Sequence, residues 1–169
     1  VLLPTLIREA TGLTDLDYQV APGLSQAHTA GIEVEEVAAR VVYLADGDAG
    51  GDKHVKDLKE ANVHASRIFQ LPPGKAVEDL IERSDYIKVV NDFLTKMGQN
   101  KTLTDADLDA SLPISKAFEE WAKAKRVRVP SKVEIAYALL DSGAHLTPAG
   151  RTVLKKRHEQ FAAAFARAN

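Results

Sequence analysis

Val41-Val42-Tyr43-Leu44-Ala45-Asp46-Gly47-Asp48-Ala49-Gly50-Gly51 is the stretch whose reading decides the fold. Four of its first five residues are large and apolar, and the character then switches abruptly to acids and glycines. A short apolar run bounded by turn residues reads as a buried strand, of the kind found at the centre of a parallel sheet. Asp46 and Asp48 follow at its C-terminal end, where strand ends and helix starts converge on a crevice in open α/β sheets. Gly47, Gly50 and Gly51 read as turn residues that let the chain reverse before the next helix. Two ionised carboxylates this close repel unless a cation lies between them, so a hard divalent ion such as Mg²⁺ is the expected partner. The plain alternative is that both acids cap a loop and face water.

Working outward, residues 67–71 (Arg-Ile-Phe-Gln-Leu) read as the following strand, broken by Pro72-Pro73-Gly74. Asp52 is the expected N-cap of an intervening helix that turns Val55, Leu58 and Ala61 inward. Strand, helix and strand at this spacing predict a βαβ unit, hence a parallel sheet. A third strand is expected at residues 17–20, and a helix carrying Val34, Val37 and Ala38 before the central strand. The opening residues Leu2, Leu3, Leu6, Ile7 and Ala10 follow helical spacing, with Pro4 in the first turn and Gly12 as the stop. A helix ahead of the first visible strand predicts a further strand upstream of Val1.

Residues 75–83 are expected to form a short helix bearing a second acidic pair, Glu78-Asp79. Beyond it the pattern becomes all-helical. Ile87, Val90, Leu94 and Met97 form one stripe, ended by Gly98, and Ile114, Ala117, Phe118 and Trp121 form another. Thr104 to Asp107 starts a short helix between them. Ser131 with Glu134 is a capping box opening a helix through Asp141. Lys132 then falls in the first helical turn, where the helix dipole disfavours a cation, so it is a candidate for service in a site. Thr147-Pro148 opens the last helix, with Leu154, Phe161, Phe165 and Ala168 inward and His158 as a packing residue at the core edge.

Composition limits the function. The 169 residues are 45% hydrophobic and 27% charged, with a net charge of −2 and no cysteine. Disulfides and thiolate metal sites are therefore excluded. No apolar run approaches a membrane span, and a cytoplasmic protein is expected. The five histidines lack zinc-ligand spacing, and neither a Walker loop nor G-x-G-x-x-G occurs, so no nucleotide is expected to bind here. The acids concentrate between Glu33 and Asp109. Lys116, Lys123, Lys125, Arg126, Arg128 and Lys132 face only Glu119 and Glu120 within residues 116–132, and a second basic run holds Arg151, Lys155, Lys156 and Arg157. An acidic pocket with a basic flank suits a polyanion held beside metal ions, although a solvated helix face accounts for such clusters too.

With Asp46-Gly47-Asp48-Ala49-Gly50-Gly51, Ala76-Val77-Glu78-Asp79-Leu80-Ile81 and Pro130-Ser131-Lys132-Val133 in place, nearly the whole chain resembles a TOPRIM domain. It is most similar to the C-terminal nuclease region of the OLD (overcoming lysogenization defect) family. The resemblance implies a Rossmann-like α/β fold with a mainly parallel sheet and an all-helical insertion. Residues 1–82 would form the TOPRIM core, 83–129 the insertion, and 130–169 the helices returning to the core. It also implies an ATPase domain upstream in the same chain, DNA as substrate, and two Mg²⁺ or Mn²⁺ ions ~4 Å apart that hydrolyse a phosphodiester. Asp46, Asp48, Glu78 and Asp79 match the metal ligands, with Asp46 and Glu78 also catalytic, and Lys132 matches a lysine near the scissile phosphate. The family's first-strand glutamate, in an E-G-x-(S/T)-D context, is not in this sequence, and Val1-Leu2-Leu3-Pro4 resembles the segment just after it. Lys116, Lys123, Lys125, Arg126 and Arg128 are the expected grip on the DNA backbone. The alternative on the same fold is a DNA-binding or homodimerisation module without chemistry. Tyr18, Tyr43, Tyr86 and Tyr137 lack the context of a strand-passing nucleophile, and a primase or receiver-like domain fits less well.

Overall fold

The structure is a computed structural model that describes residues 2–21 and 41–166. It is a mixed α/β chain: a two-stranded parallel sheet and six α-helices among the described residues. The opening apolar spacing forms α1 (Leu2–Thr11), which buries Leu2, Leu6, Ile7 and Ala10. Gly12 ends it at φ 75°, a left-handed conformation that glycine adopts at little cost. The expected strand at residues 17–20 does not form. Tyr18 instead packs its ring between His158 and Phe165, and its hydroxyl lies 2.9 Å from His158 Nδ1. The expected helix around Val34, Val37 and Ala38 lies outside the described residues.

The decisive apolar run forms β1 (Tyr43–Ala45), followed by α2 (Ala49–Glu60) and β2 (Ile68–Gln70). The strands are parallel, with Tyr43 opposite Ile68 and Ala45 opposite Gln70. Alternation along the strands serves two layers. Tyr43 and Ile68 join Leu58, Ala61 and Val63 beneath α2. Val42, Leu44 and Phe69 face the larger helical core instead.

That core is built by α1 together with α3 (Arg83–Lys96), α4 (Ile114–Lys125), α5 (Lys132–Asp141) and α6 (Pro148–Ala166). The expected stripes are largely the ones observed, with Val90, Leu94, Ile114, Ala117, Phe118 and Trp121 all buried. Tyr86 and Val89 join them, while Ile87 and Met97 are half-buried. One contiguous apolar cluster runs through all three segments that the sequence divides, so residues 83–129 share their core with both flanking parts. The C-terminal helix α6 packs along α1, where Arg151 holds the Glu9 carboxylate and carbonyl oxygen, each at 2.6 Å.

Candidate metal centre at the strand ends

The site is built where β1 and β2 end. Two loops leave the sheet there and are stitched together by backbone hydrogen bonds. Gly47 N–H donates to Lys75 O at 2.7 Å, Gly74 N–H donates to Gly47 O at 2.6 Å, and Leu71 N–H donates to Ala45 O at 2.9 Å. The glycines serve this close approach, and none of Gly47, Gly50 and Gly51 has a positive φ. A Cβ on Gly47 would stand 1.9 Å from the Pro72 carbonyl oxygen, and one on Gly51 would stand 1.8 Å from that of Asp46. They are thus needed for space and not for a left-handed turn, as the sequence alone suggests. Gly50 is different: a Cβ there would meet only the Asp48 side chain, at 3.3 Å.

Asp46 leaves the end of β1 half-buried, with the Val77 N–H facing its carboxylate from the other loop. Burial pushes its carboxyl up to about 6, and the negative charges of Glu78 and Asp48 push the same way. The Val77 N–H and the Lys132 ammonium oppose them. Asp46, Asp48, Glu78 and Lys132 therefore share one electrostatic neighbourhood, although they are spread over 86 positions of sequence. Asp48 is the N-cap of α2, accepting the Gly51 N–H at 2.8 Å through Oδ1. It takes the place expected for Asp52, because the helix begins four residues earlier. Asp52 instead accepts Gln70 Nε2 at 2.6 Å, and the same amide nitrogen donates to the Asp46 carbonyl oxygen at 3.1 Å.

The second acidic pair sits on a 3₁₀ turn, Val77–Leu80, where the sequence suggests a longer helix. Its two acids face different tasks. Glu78 is half-buried beside Asp46, whereas Asp79 accepts the Ala76 N–H at 2.8 Å and, through its other oxygen, the Ile114 N–H at 3.0 Å. Asp79 thereby ties the turn to the first residue of α4. The turn is held from its far side too. Thr147 N–H donates to Leu80 O at 2.9 Å, and Gly150 lies so close that a Cβ would stand 2.3 Å from that oxygen.

Lys132 is the first residue of α5. The capping box fixes that start: Ser131 N–H donates to Glu134 Oε2 at 2.7 Å, and Glu134 N–H donates to Ser131 Oγ at 3.2 Å. The lysine ammonium lies 3.5 Å from Glu119 on α4. This pair is exposed and contributes little to stability. Together with Asp46 it explains why a cation is tolerated at a helix N-terminus.

Sequence reasoning overlooked four contributors: the Val77 N–H, Gln70, Glu119 and Tyr86. Gln70, a polar residue at the end of an apolar strand, was the one legible signal. The Tyr86 hydroxyl is buried with no hydrogen-bond partner among the described residues, and burial, then the charges of Glu78, Glu119 and Asp79, hold its ionisation far above the ordinary range.

Among the described residues, no three His, Cys, Asp or Glu side chains stand close enough to grip a metal ion in this arrangement. The donor set nevertheless fits a hard cation by its chemistry, since Asp46 carries an excess of negative charge around it that one lysine only partly offsets. Lys116, Lys123, Lys125, Arg126 and Arg128 are all exposed on or just after α4. Of the second basic run, Arg151 is committed to Glu9, and Arg157 is committed to the Gln70 carbonyl and Gln160. Among the described residues, no helix is long and apolar enough to cross a membrane. No family model, no curated protein and no solved structure matches this chain.

Proposed function

We propose that this chain is the metal-dependent DNA endonuclease part of an OLD-type ATPase–nuclease, with a TOPRIM core. The observation that supports it most is the stitching of two acid-bearing strand-end loops into one neighbourhood that also receives Lys132. Asp46, Asp48 and Glu78 would hold two Mg²⁺ or Mn²⁺ ions. Asp79 is the weakest of the four candidate ligands, because both its oxygens already accept backbone N–H groups. When bound, the ions supply an activated water and stabilise the leaving oxygen. Lys132 offsets the charge that builds on the attacked phosphate, the role of a pre-positioned cation in a partly desolvated site. The exposed basic residues on and after α4 grip the DNA backbone in a salt-dependent manner.

Supercoiled plasmid incubated with Mn²⁺ and the protein tests this reading. Nicking or linearisation is expected, lost when Asp46→Asn and Asp48→Asn are combined. Cleavage that persists in the double variant overturns it. The second reading is a DNA-binding module without chemistry, favoured by the capping duties of Asp48 and Asp79. It predicts DNA retention indifferent to chelator and no cleavage with either metal.

A further inference from the structure

Tyr86 is the largest fully buried side chain among the described residues, 1% exposed, and its hydroxyl has no hydrogen-bond partner among them. Its ring stands edge-on to Phe118, with centroids 6.4 Å apart, so the first turn of α3 is locked against α4. A bare hydroxyl in such a place costs free energy that a phenylalanine of the same shape would avoid. Three carboxylates lie near enough for their charges to bear on it: Glu78, then Glu119 and Asp79. Two of them are committed elsewhere. Asp79 spends both oxygens on the Ala76 and Ile114 N–H groups. Glu119 lies 3.5 Å from the Lys132 ammonium and stands half in water. Glu78 is the remaining one, half-buried on the loop that faces Asp46. Among the described residues its carboxylate accepts no hydrogen bond and forms no ion pair.

We infer that Tyr86 is a positioning residue for the candidate metal centre: when Glu78 turns one oxygen toward Asp46 to share a divalent ion, its other oxygen accepts the Tyr86 O–H. The inference rests on the reading of the strand-end acids as a metal site, and it adds the group that orients one of them. A ligating carboxylate keeps lone pairs to spare, and a donor held by the core fixes the direction in which the group faces. Outer-shell partners of this kind are worth about 10–100-fold in metal affinity. The ring is held by the core on α3, so the half-buried, unpaired Glu78 is the partner that moves. Burial and the three nearby negative charges keep the hydroxyl protonated, hence a donor.

Tyr86→Phe keeps the ring and removes only the hydroxyl. Isothermal titration of Mn²⁺ into the 169-residue chain, set beside metal-free thermal melts of the same proteins, tests the assignment. The wild type is expected to take up Mn²⁺, and Tyr86→Phe to bind it about tenfold more weakly while melting no lower than wild type in metal-free buffer. Uptake that Tyr86→Phe leaves unchanged overturns the inference, because the hydroxyl then does nothing for Glu78. A metal-free melt that drops together with the affinity also overturns it, since the hydroxyl would then be holding the core and not the ligand. Glu78→Gln removes the charged acceptor itself and should weaken uptake at least as much as Tyr86→Phe does. A smaller effect for Glu78→Gln contradicts a route through Glu78. Wild-type protein that takes up no Mn²⁺ overturns the metal centre and this inference with it, whereas uptake in which only the Tyr86→Phe result fails leaves the centre standing.

Discussion

Asp46 sets the pH response expected of the candidate site. Its carboxyl is raised from 3.8 to about 6, chiefly by burial and then by Glu78 and Asp48. Between those values the folded protein holds more protons than the unfolded one, so stability falls as pH rises through the window and stays lowered above it. Asp46→Asn removes that cost. In metal-free buffer it should raise Tm at about pH 7.5 and lose the advantage below about pH 4, where the wild-type carboxyl is neutral in both states. Thermal melts at the two pH values check the sign. The neighbouring glycines give an opposed pair of outcomes. Gly51→Ala drives a methyl to 1.8 Å from the Asp46 carbonyl oxygen and should destabilise by about 2 kcal/mol or more. Gly50→Ala sits in an exposed first turn of α2 and should be neutral or stabilising by up to ~1 kcal/mol. Tyr86→Phe removes a buried hydroxyl that has no partner among the described residues, so denaturant melts should show no loss of stability.

At the scale of elements, two turns carry the site, and they differ in how plainly their sequences announce them. The 3₁₀ turn bearing Glu78 depends on Asp79, whose carboxylate joins it to α4. Asp79→Ala leaves two buried-side N–H groups without a partner and should cost about 1–3 kcal/mol while retaining metal binding in the folded fraction. Parallel loss of metal binding at full stability would instead mark Asp79 as a ligand. Ser131→Ala removes the cap that sets Lys132 at the head of α5, for about 1 kcal/mol in denaturant melts. The Ser131–Glu134 box, the Thr147-Pro148 start and the β1–α2–β2 unit were all legible, because each rests on local spacing. The strand expected at residues 17–20 was not, because Tyr18 is claimed by His158 and Phe165, 140 and 147 positions away. Asp48 displaced Asp52 as the cap: it stands one position before the first helical residue and accepts the Gly51 N–H.

Across the whole molecule, the apolar periodicity identified most of the core but not how it is shared. Leu71, Leu80 and Ile81 from the α/β part pack into the same cluster as Phe118 and Trp121 from the helices and Leu154 from the last one. A single cooperative unfolding transition is therefore expected for the described segments together. Spacing alone cannot bring residues 46, 78 and 132 together; the stitching of the two loops, and the start of α5 against α4, put the charges of Glu78 and Lys132 within reach of Asp46. Isothermal titration of Mn²⁺ into the 169-residue chain at about pH 7.5, with and without Asp46→Asn, addresses the centre most directly. If the strand-end acids form a metal site, the wild type takes up Mn²⁺ with an affinity that falls below about pH 6, as ligation must displace the Asp46 proton, and the variant loses it. Uptake that is identical in both proteins, or absent from both, contradicts it.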